Sequence, residues 1–177
     1  GRQDGNFSFI SRVDLGSGDR NIVSSDSVGS GPALDGVANL VYHVDRNQIL
    51  VTDPNTTALL SIDPSNGNRT IVSNASTGTG PNFGLVFGLS LSDSSDQVLI
   101  TDGALDGVMS VNLDTGDRTI VSSESVGEGI NMVSSSTFLF IGNNQAIVGD
   151  EALNALLTID TNTGNRRVIE NGFSGSG

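Results

Sequence analysis

The sequence contains no cysteine, no tryptophan and no lysine, so arginine supplies all eight basic side chains of its 177 residues. Without cysteine the chain can form neither a disulfide framework nor a thiolate metal site. No apolar run approaches the roughly 18 residues that a membrane-spanning helix needs. We therefore expect no membrane insertion, and the missing cysteine by itself leaves the compartment open.

Basic charge is also scarce, because 20 acidic residues give the chain a formal net charge of −12. This charge opposes binding to a phosphate backbone or to an anionic membrane, so no nucleic-acid partner is expected. It fits a protein that is extracellular or displayed on a cell surface, or one that binds cations. The sequence starts at Gly1 without a methionine or a signal peptide, and we expect a processed product or a piece of a longer chain.

One phrase recurs along the chain. It reads GSGDRNIVSS at 16–25, SNGNRTIVSN at 65–74 and DTGDRTIVSS at 114–123, with a weaker copy, NTGNRRVIEN, at 162–171. Its arginines, Arg20, Arg69, Arg118 and Arg166, follow one another at steps of 49, 49 and 48 residues. Such a period indicates a repeat architecture. We divide residues 1–177, as a single segment, into a partial unit 1–32 and full units 33–81, 82–130 and 131–177.

Each full unit contains four short runs rich in Val, Ile, Leu and Thr, bounded by Gly, Asn and Asp. This pattern is typical of β-strands, and no window shows the periodicity of a helix. We predict an all-β chain of β-propeller blades, each a four-stranded antiparallel sheet that stacks face to face on its neighbours. The partial unit adds two strands, giving about three and a half blades, whereas closed propellers have roughly 4–8.

Three interpretations of this incomplete count stay open. The chain is a segment of a longer protein, or several copies assemble head to tail into a ring or fibre, or the N-terminal hairpin pairs elsewhere in a small irregular propeller. We therefore expect self-association or further blades of a longer chain as partners.

The units resemble a known class of repeat. The matching stretches are Leu50-Val51-Thr52-Asp53, Leu59-Leu60-Ser61-Ile62-Asp63 and Thr115-Gly116-Asp117-Arg118-Thr119. They resemble the NHL-type and lactonase-like β-propeller repeats of large secreted bacterial proteins. The resemblance implies the propeller fold and secretion. Lactonase-like propellers hold an axial divalent metal with Glu, Asn and Asp, but none of the four glutamates here lies in the first strand of a unit, which weighs against an enzyme.

The repeat also singles out residues with a predicted structural role. The turn glycines Gly18, Gly67, Gly116 and Gly164 stand where a hairpin needs positive φ. Asp14, Asp63, Asn112 and Asp160, four residues earlier, are suited to accept hydrogen bonds from turn N–H groups. We expect the repeated arginines to act as rungs between blades, paired with Asp19, Asp117 or acids of the next blade, or else to line the rim as a carboxylate-binding row.

Three aspartates, Asp53, Asp102 and Asp150, end the second strand of each unit. A ring of their carboxylates could bind Ca²⁺, the one cofactor that the sequence leaves open. The alternative is that each caps the turn that follows it. His43 is the only histidine and has no catalytic partner placed by a motif.

The function that we predict is a non-catalytic, secreted or surface β-propeller module for binding or structural self-association. Two alternatives remain: a subunit of an extracellular propeller-based fibre, and a lactonase- or hydrolase-like enzyme with an axial metal site.

Overall fold

The computed structural model describes residues 8–171, apart from the side chains of 136, 170 and 171. All regular structure in this range is β. The strands are β1 Ile10–Val13, β2 Arg20–Ser24, β3 Asn39–His43, β4 Gln48–Asp53, β5 Ala58–Ile62, β6 Arg69–Ser73, β7 Val86–Leu91, β8 Gln97–Asp102, β9 Gly107–Asn112, β10 Arg118–Ser122, β11 Ser135–Gly142, β12 Gln145–Asp150, β13 Ala155–Asp160 and β14 Arg166–Asn171.

The strands form one two-stranded and three four-stranded sheets, and within each sheet every strand pairs antiparallel with the next along the chain. We call β1–β2 the half-blade, β3–β6 blade 1, β7–β10 blade 2 and β11–β14 blade 3. The predicted all-β architecture of four-stranded antiparallel sheets is confirmed. The described residues include no helix that is long and apolar enough to cross a membrane.

The sheets pack face to face through three apolar clusters, which we call the first, second and third joints. The first joint lies between the half-blade and blade 1, the second between blades 1 and 2, and the third between blades 2 and 3. Strand β5 shows why its sequence is almost continuously apolar. Leu59 packs in the second joint and Leu60 and Ile62 in the first, so both faces of the strand are buried.

Turns between the strands use residues that tolerate positive φ. Gly18, Gly67, Gly116 and Gly164 have φ between 75° and 80°. These are the four positions at which the sequence pattern requires a left-handed conformation, which glycine adopts without steric cost. The turn thereby places the following arginine at the start of the outermost strand of each sheet.

Candidate functional site

The strongest recurring polar feature is an arginine side chain that crosses each joint. Arg118, at the start of β10, is only 4% exposed. Its Nε donates to the carbonyl oxygen of Pro81 at 2.5 Å, and its Nη1 donates to the Ser73 hydroxyl at 2.6 Å. The same Nη1 lies 2.8 Å from Asn74 O and 2.9 Å from Thr77 O. Blade 2 is thus hydrogen-bonded to the connector that leaves blade 1.

The other two joints repeat this contact, which we call the arginine clasp: one arginine, the serine hydroxyl that ends the preceding blade, and three carbonyl oxygens of the preceding connector. Arg69 contacts Ser24 and the carbonyls of Ser25, Val28 and Pro32. Arg166 contacts Ser122 and the carbonyls of Ser123, Val126 and Ile130. The hydrogen-bond partners are therefore hydroxyl and carbonyl oxygens, and the carboxylate partners that the sequence suggested are not the ones used.

The serine of each clasp also binds the carbonyl oxygen of the turn glycine that precedes the arginine by two residues. Ser73 accepts from Arg118 and donates its own hydroxyl proton to Gly116 O at 2.6 Å. Ser24 and Ser122 donate in the same way to Gly67 and Gly164. A Cβ added at Gly116 would lie 2.3 Å from Val72 O, so the turn backbone touches the neighbouring blade directly. The recurring glycine thus serves close packing as well as the turn.

Burial opposes the charged form of the clasp arginines, whereas hydrogen bonding favours the charged form of the neighbouring Asp117. Burial lowers the pKa of the Arg118 and Arg166 guanidinium groups, although arginine stays protonated in proteins. The hydrogen bond from the Thr79 hydroxyl, together with the Thr79 N–H, lowers the pKa of Asp117, the residue before the clasp arginine. Asp117 therefore anchors the connector of the preceding blade through Thr79.

The three strand-end aspartates are buried, and each is satisfied by backbone N–H groups. Asp102, 0% exposed, accepts hydrogen bonds from four of them, at Gly84, Leu85, Ala104 and Leu105. Asp53 accepts from residues 35, 36, 55 and 56, and Asp150 from residues 133, 134 and 153. Each carboxylate joins the loop before the first strand of its blade to the turn after the second.

Metal binding gains no geometric support from these aspartates. Within residues 8–171 no group of three or more His, Asp or Glu side chains is placed to hold a metal ion. The calcium site stays a prediction, which titration with Ca²⁺ would test.

His43 takes part in a contact that the sequence did not reveal. Its Nε2 lies 2.9 Å from Ser95 O in blade 2. Arg46 reaches the same carbonyl with its Nε at 3.1 Å and forms an ion pair with Asp114, Nη1 to Oδ1, at 2.7 Å. This pair raises the pKa of Arg46 and lowers that of Asp114. The partners stand 68 residues apart, and neither repeats at the equivalent positions, so no periodic signal marks them.

The outer face of the first sheet and the outer face of the last sheet are exposed, whereas the equivalent faces of the sheets between them are buried. On the half-blade, Val13 is 45% exposed, whereas its equivalent in β5, Ile62, is 0% exposed. Ile22 is 52% exposed, whereas its equivalent in β6, Ile71, packs against the first joint. On blade 3, Leu156 is 46% exposed, whereas its equivalent Leu59 is buried in the second joint. Arg20, the fourth arginine of the phrase, lies exposed on the half-blade. Within the described residues no sheet covers either face.

Comparison with known proteins identifies the fold. A chain of a nidogen/laminin complex superposes with a TM-score of 0.70 over 97% of this chain and 61% of that one, at 13% identity. Virginiamycin B lyase from Staphylococcus aureus gives 0.63 over 96% and 50%, at 18% identity. The RRP9 WD40 repeats give 0.57 over 81% and 40%, at 12% identity. The fold is a β-propeller.

The predicted propeller architecture is confirmed by these superpositions. The chain spans between about two fifths and three fifths of the length of these solved propellers. No protein family and no curated protein matches the sequence. At such identities the likeness concerns the fold alone, and the NHL-type assignment stays a prediction.

Proposed function

We propose that this β-propeller segment is a non-catalytic module that associates with further copies of itself through its two uncovered blade faces. The observation that carries the proposal is that the half-blade and blade 3 expose opposite sides of the same kind of joint. Ile22 and Arg20 belong to the side that receives a preceding blade, and Leu156 belongs to the side that receives a following one.

Two such faces are complementary rather than identical. Their contact is therefore heterologous, which produces a ring where the rotation closes and a filament where it does not. Exposed apolar side chains on both faces supply the driving force, because their burial removes apolar surface from water. The exposed Arg20 supplies direction, because its three internal equivalents each bind the connector of a preceding blade.

Protein association is also what one of the solved propellers displays, since a chain similar to this one was crystallised in a nidogen/laminin complex. We further propose an extracellular or cell-surface setting, which the net charge of −12 supports. The fibre subunit is the open-ended form of the same proposal. No observation on the described residues favours the hydrolase alternative, which predicts a chelator-sensitive activity.

Sedimentation velocity over a range of concentrations tests the proposal. We expect multiples of the 18.2 kDa chain mass that grow with concentration. Ile22→Arg and Leu156→Arg each remove one face, so each variant alone should stay monomeric. Mixed together, the two variants should form a dimer and nothing larger, because one intact face of each kind remains.

The matched control is Val44→Arg, which places the same charge on an apolar side chain of the β3–β4 turn that is 72% exposed. This variant should assemble like the original chain. A chain that stays at a single mass up to millimolar concentration would refute self-association and favour further blades of a longer chain as the natural partners. Homodimers of either single variant would refute the heterologous arrangement.

A further inference from the structure

The rim of the third joint contains a cavity of about 400 Å³. Three turns surround it: β7–β8 of blade 2, and β11–β12 and β13–β14 of blade 3. Val121 and Phe140, which pack against the third-joint cluster, provide apolar walls, and Asp93, Ser110, Asn144 and Asn162 provide polar groups. Its volume lies within the ~300–1,000 Å³ of ligand pockets.

The same place in the second joint is occupied by side chains of the protein itself. There Arg46 extends from the β3–β4 turn to Ser95 O and to the carboxylate of Asp114. His43 lies beside it, against the same carbonyl oxygen. The second joint therefore holds a guanidinium group between two blades.

The repeat explains why the third joint is open. Residues 49 positions after His43 and Arg46 are Ser92 and Ser95, and 48 positions after Asp114 is Asn162. A histidine, an arginine and an aspartate are thus replaced by two serines and an asparagine. The loss of the two large side chains leaves the cavity. Because the two joints repeat the same geometry, the cavity has the room that an arginine fills in the second joint.

The cavity is lined by hydrogen-bond acceptors but by no basic side chain of the described residues. The lining residues that the structure describes include the carboxylate of Asp93 and no arginine or histidine. The side chains of Asp93, Ser110 and Asn162 form no hydrogen bond or ion pair with other described residues. A guanidinium group supplies five N–H donors in a planar fork, and its aliphatic stem packs on apolar surface.

We propose that this cavity binds an arginine side chain of a partner polypeptide, in the place that Arg46 fills in the second joint, with Asp93 of blade 2 supplying the carboxylate. The carboxylate of Asp93 accepts from the guanidinium, and the stem lies against Val121 and Phe140. The net charge of −12 attracts a basic partner over long range. This site is separate from the end faces, so the proposal stands or falls independently of self-association.

N-acetyl-arginine amide is a suitable probe, because N-acetyl-citrulline amide has nearly the same shape without the charge. In ¹H–¹⁵N NMR titrations at low ionic strength we expect saturable shifts confined to the turns that line the cavity. The citrulline probe should bind roughly tenfold more weakly, the loss associated with one charged hydrogen bond. Equal affinity for the two probes, or shifts elsewhere on the surface, would overturn the proposal.

Two variants complete the test. Asp93→Asn should weaken arginine binding roughly tenfold, whereas Asp26→Asn, an exposed acid of the half-blade connector, should leave it unchanged. Ser95→Arg combined with Asn162→Asp rebuilds the internal pair of the second joint and should abolish binding by filling the cavity. Equal losses from the two aspartate variants would show a non-specific charge effect, and undiminished binding to the filled variant would exclude the cavity as the site.

Discussion

Arg118 and Arg20 occupy the same place in the same phrase, yet Arg118 is 4% exposed and Arg20 lies on the surface. The local sequences around them, GDRTIVSS and GDRNIVSS, are almost the same. What differs is the preceding blade, whose serine and connector carbonyls surround Arg118. No sheet among the described residues stands in that position beside the half-blade. The phrase therefore encodes one half of a joint, and its energetic contribution depends on whether the other half is present.

The largest expected effect comes from removing a clasp arginine. Arg118→Ala leaves the Ser73 hydroxyl and several connector carbonyls without their donor in a buried place, so unfolding should be easier by more than about 3 kcal/mol. Arg20→Ala should change stability by less than about 0.5 kcal/mol, as exposed positions usually do. Urea denaturation measures both values. Similar losses for the two variants would contradict the difference between the sites.

The second effect sharpens the same comparison at the turn glycines. Gly116→Ala places a Cβ 2.3 Å from Val72 O, whereas at Gly18 nothing lies within 4 Å of the equivalent Cβ. Both positions have positive φ and share a strain of about 1–2 kcal/mol. Gly116→Ala should therefore destabilise by clearly more than Gly18→Ala, in the same denaturation experiment. Equal values would mean that the turn alone, without its contact to the neighbouring blade, determines the cost.

A smaller loss is expected at the strand-end aspartates. Asp102→Asn replaces one carboxylate oxygen by an amide that cannot accept, so some of the four N–H groups lose their partner. We expect a destabilisation of about 1–3 kcal/mol. Loss of hydrogen-exchange protection at the amides of residues 84 and 104 would locate the effect, and unchanged protection there would contradict the role of this carboxylate as the anchor of two loops.

The smallest effect is expected from the pair of Arg46 and Asp114, whose side chains are 28% and 63% exposed. Because Arg46 lowers the pKa of Asp114, this pair stabilises the folded chain above the unfolded pKa of aspartate, and the contribution is lost as pH falls through the lower folded pKa. Arg46→Ser should therefore differ from the original chain at neutral pH, and the difference should shrink on acidification below about pH 4 and in high salt. A difference that does not depend on pH would show that Arg46 acts through packing alone.

The sequence pattern predicted the features that each unit carries within itself. The apolar runs of the sequence form strands, and the glycines of the repeated phrase lie where the turns need positive φ. The partners of the arginines were not predictable in the same way. Four of the five oxygens that bind Arg118 are backbone carbonyls, and a backbone acceptor leaves no mark in the residue types.

One spacing in the sequence does mark a side-chain partner of the clasp arginines. Ser24, Ser73 and Ser122 each stand four residues after a phrase arginine, and this spacing identifies the hydroxyl partner in every clasp. The contact of Arg46 with Asp114 has no such signal, because it occurs once and joins residues far apart in the chain. The equivalent residues of the next joint, Ser95 and Asn162, indicate a missing contact only once the structure has shown the contact of Arg46 with Asp114.

The most direct test measures, by ¹H–¹⁵N NMR, the solvent exchange of the Nε–H groups of the four arginines in the repeated phrase as the protein concentration rises. We expect slow solvent exchange for Arg69, Arg118 and Arg166 at every concentration, because their Nε–H groups are buried and bonded to carbonyl oxygens. Arg20 should exchange fast in the monomer and become protected as copies associate. Assembly that leaves the Arg20 signal in fast exchange would contradict the claim that the half-blade is one half of a joint.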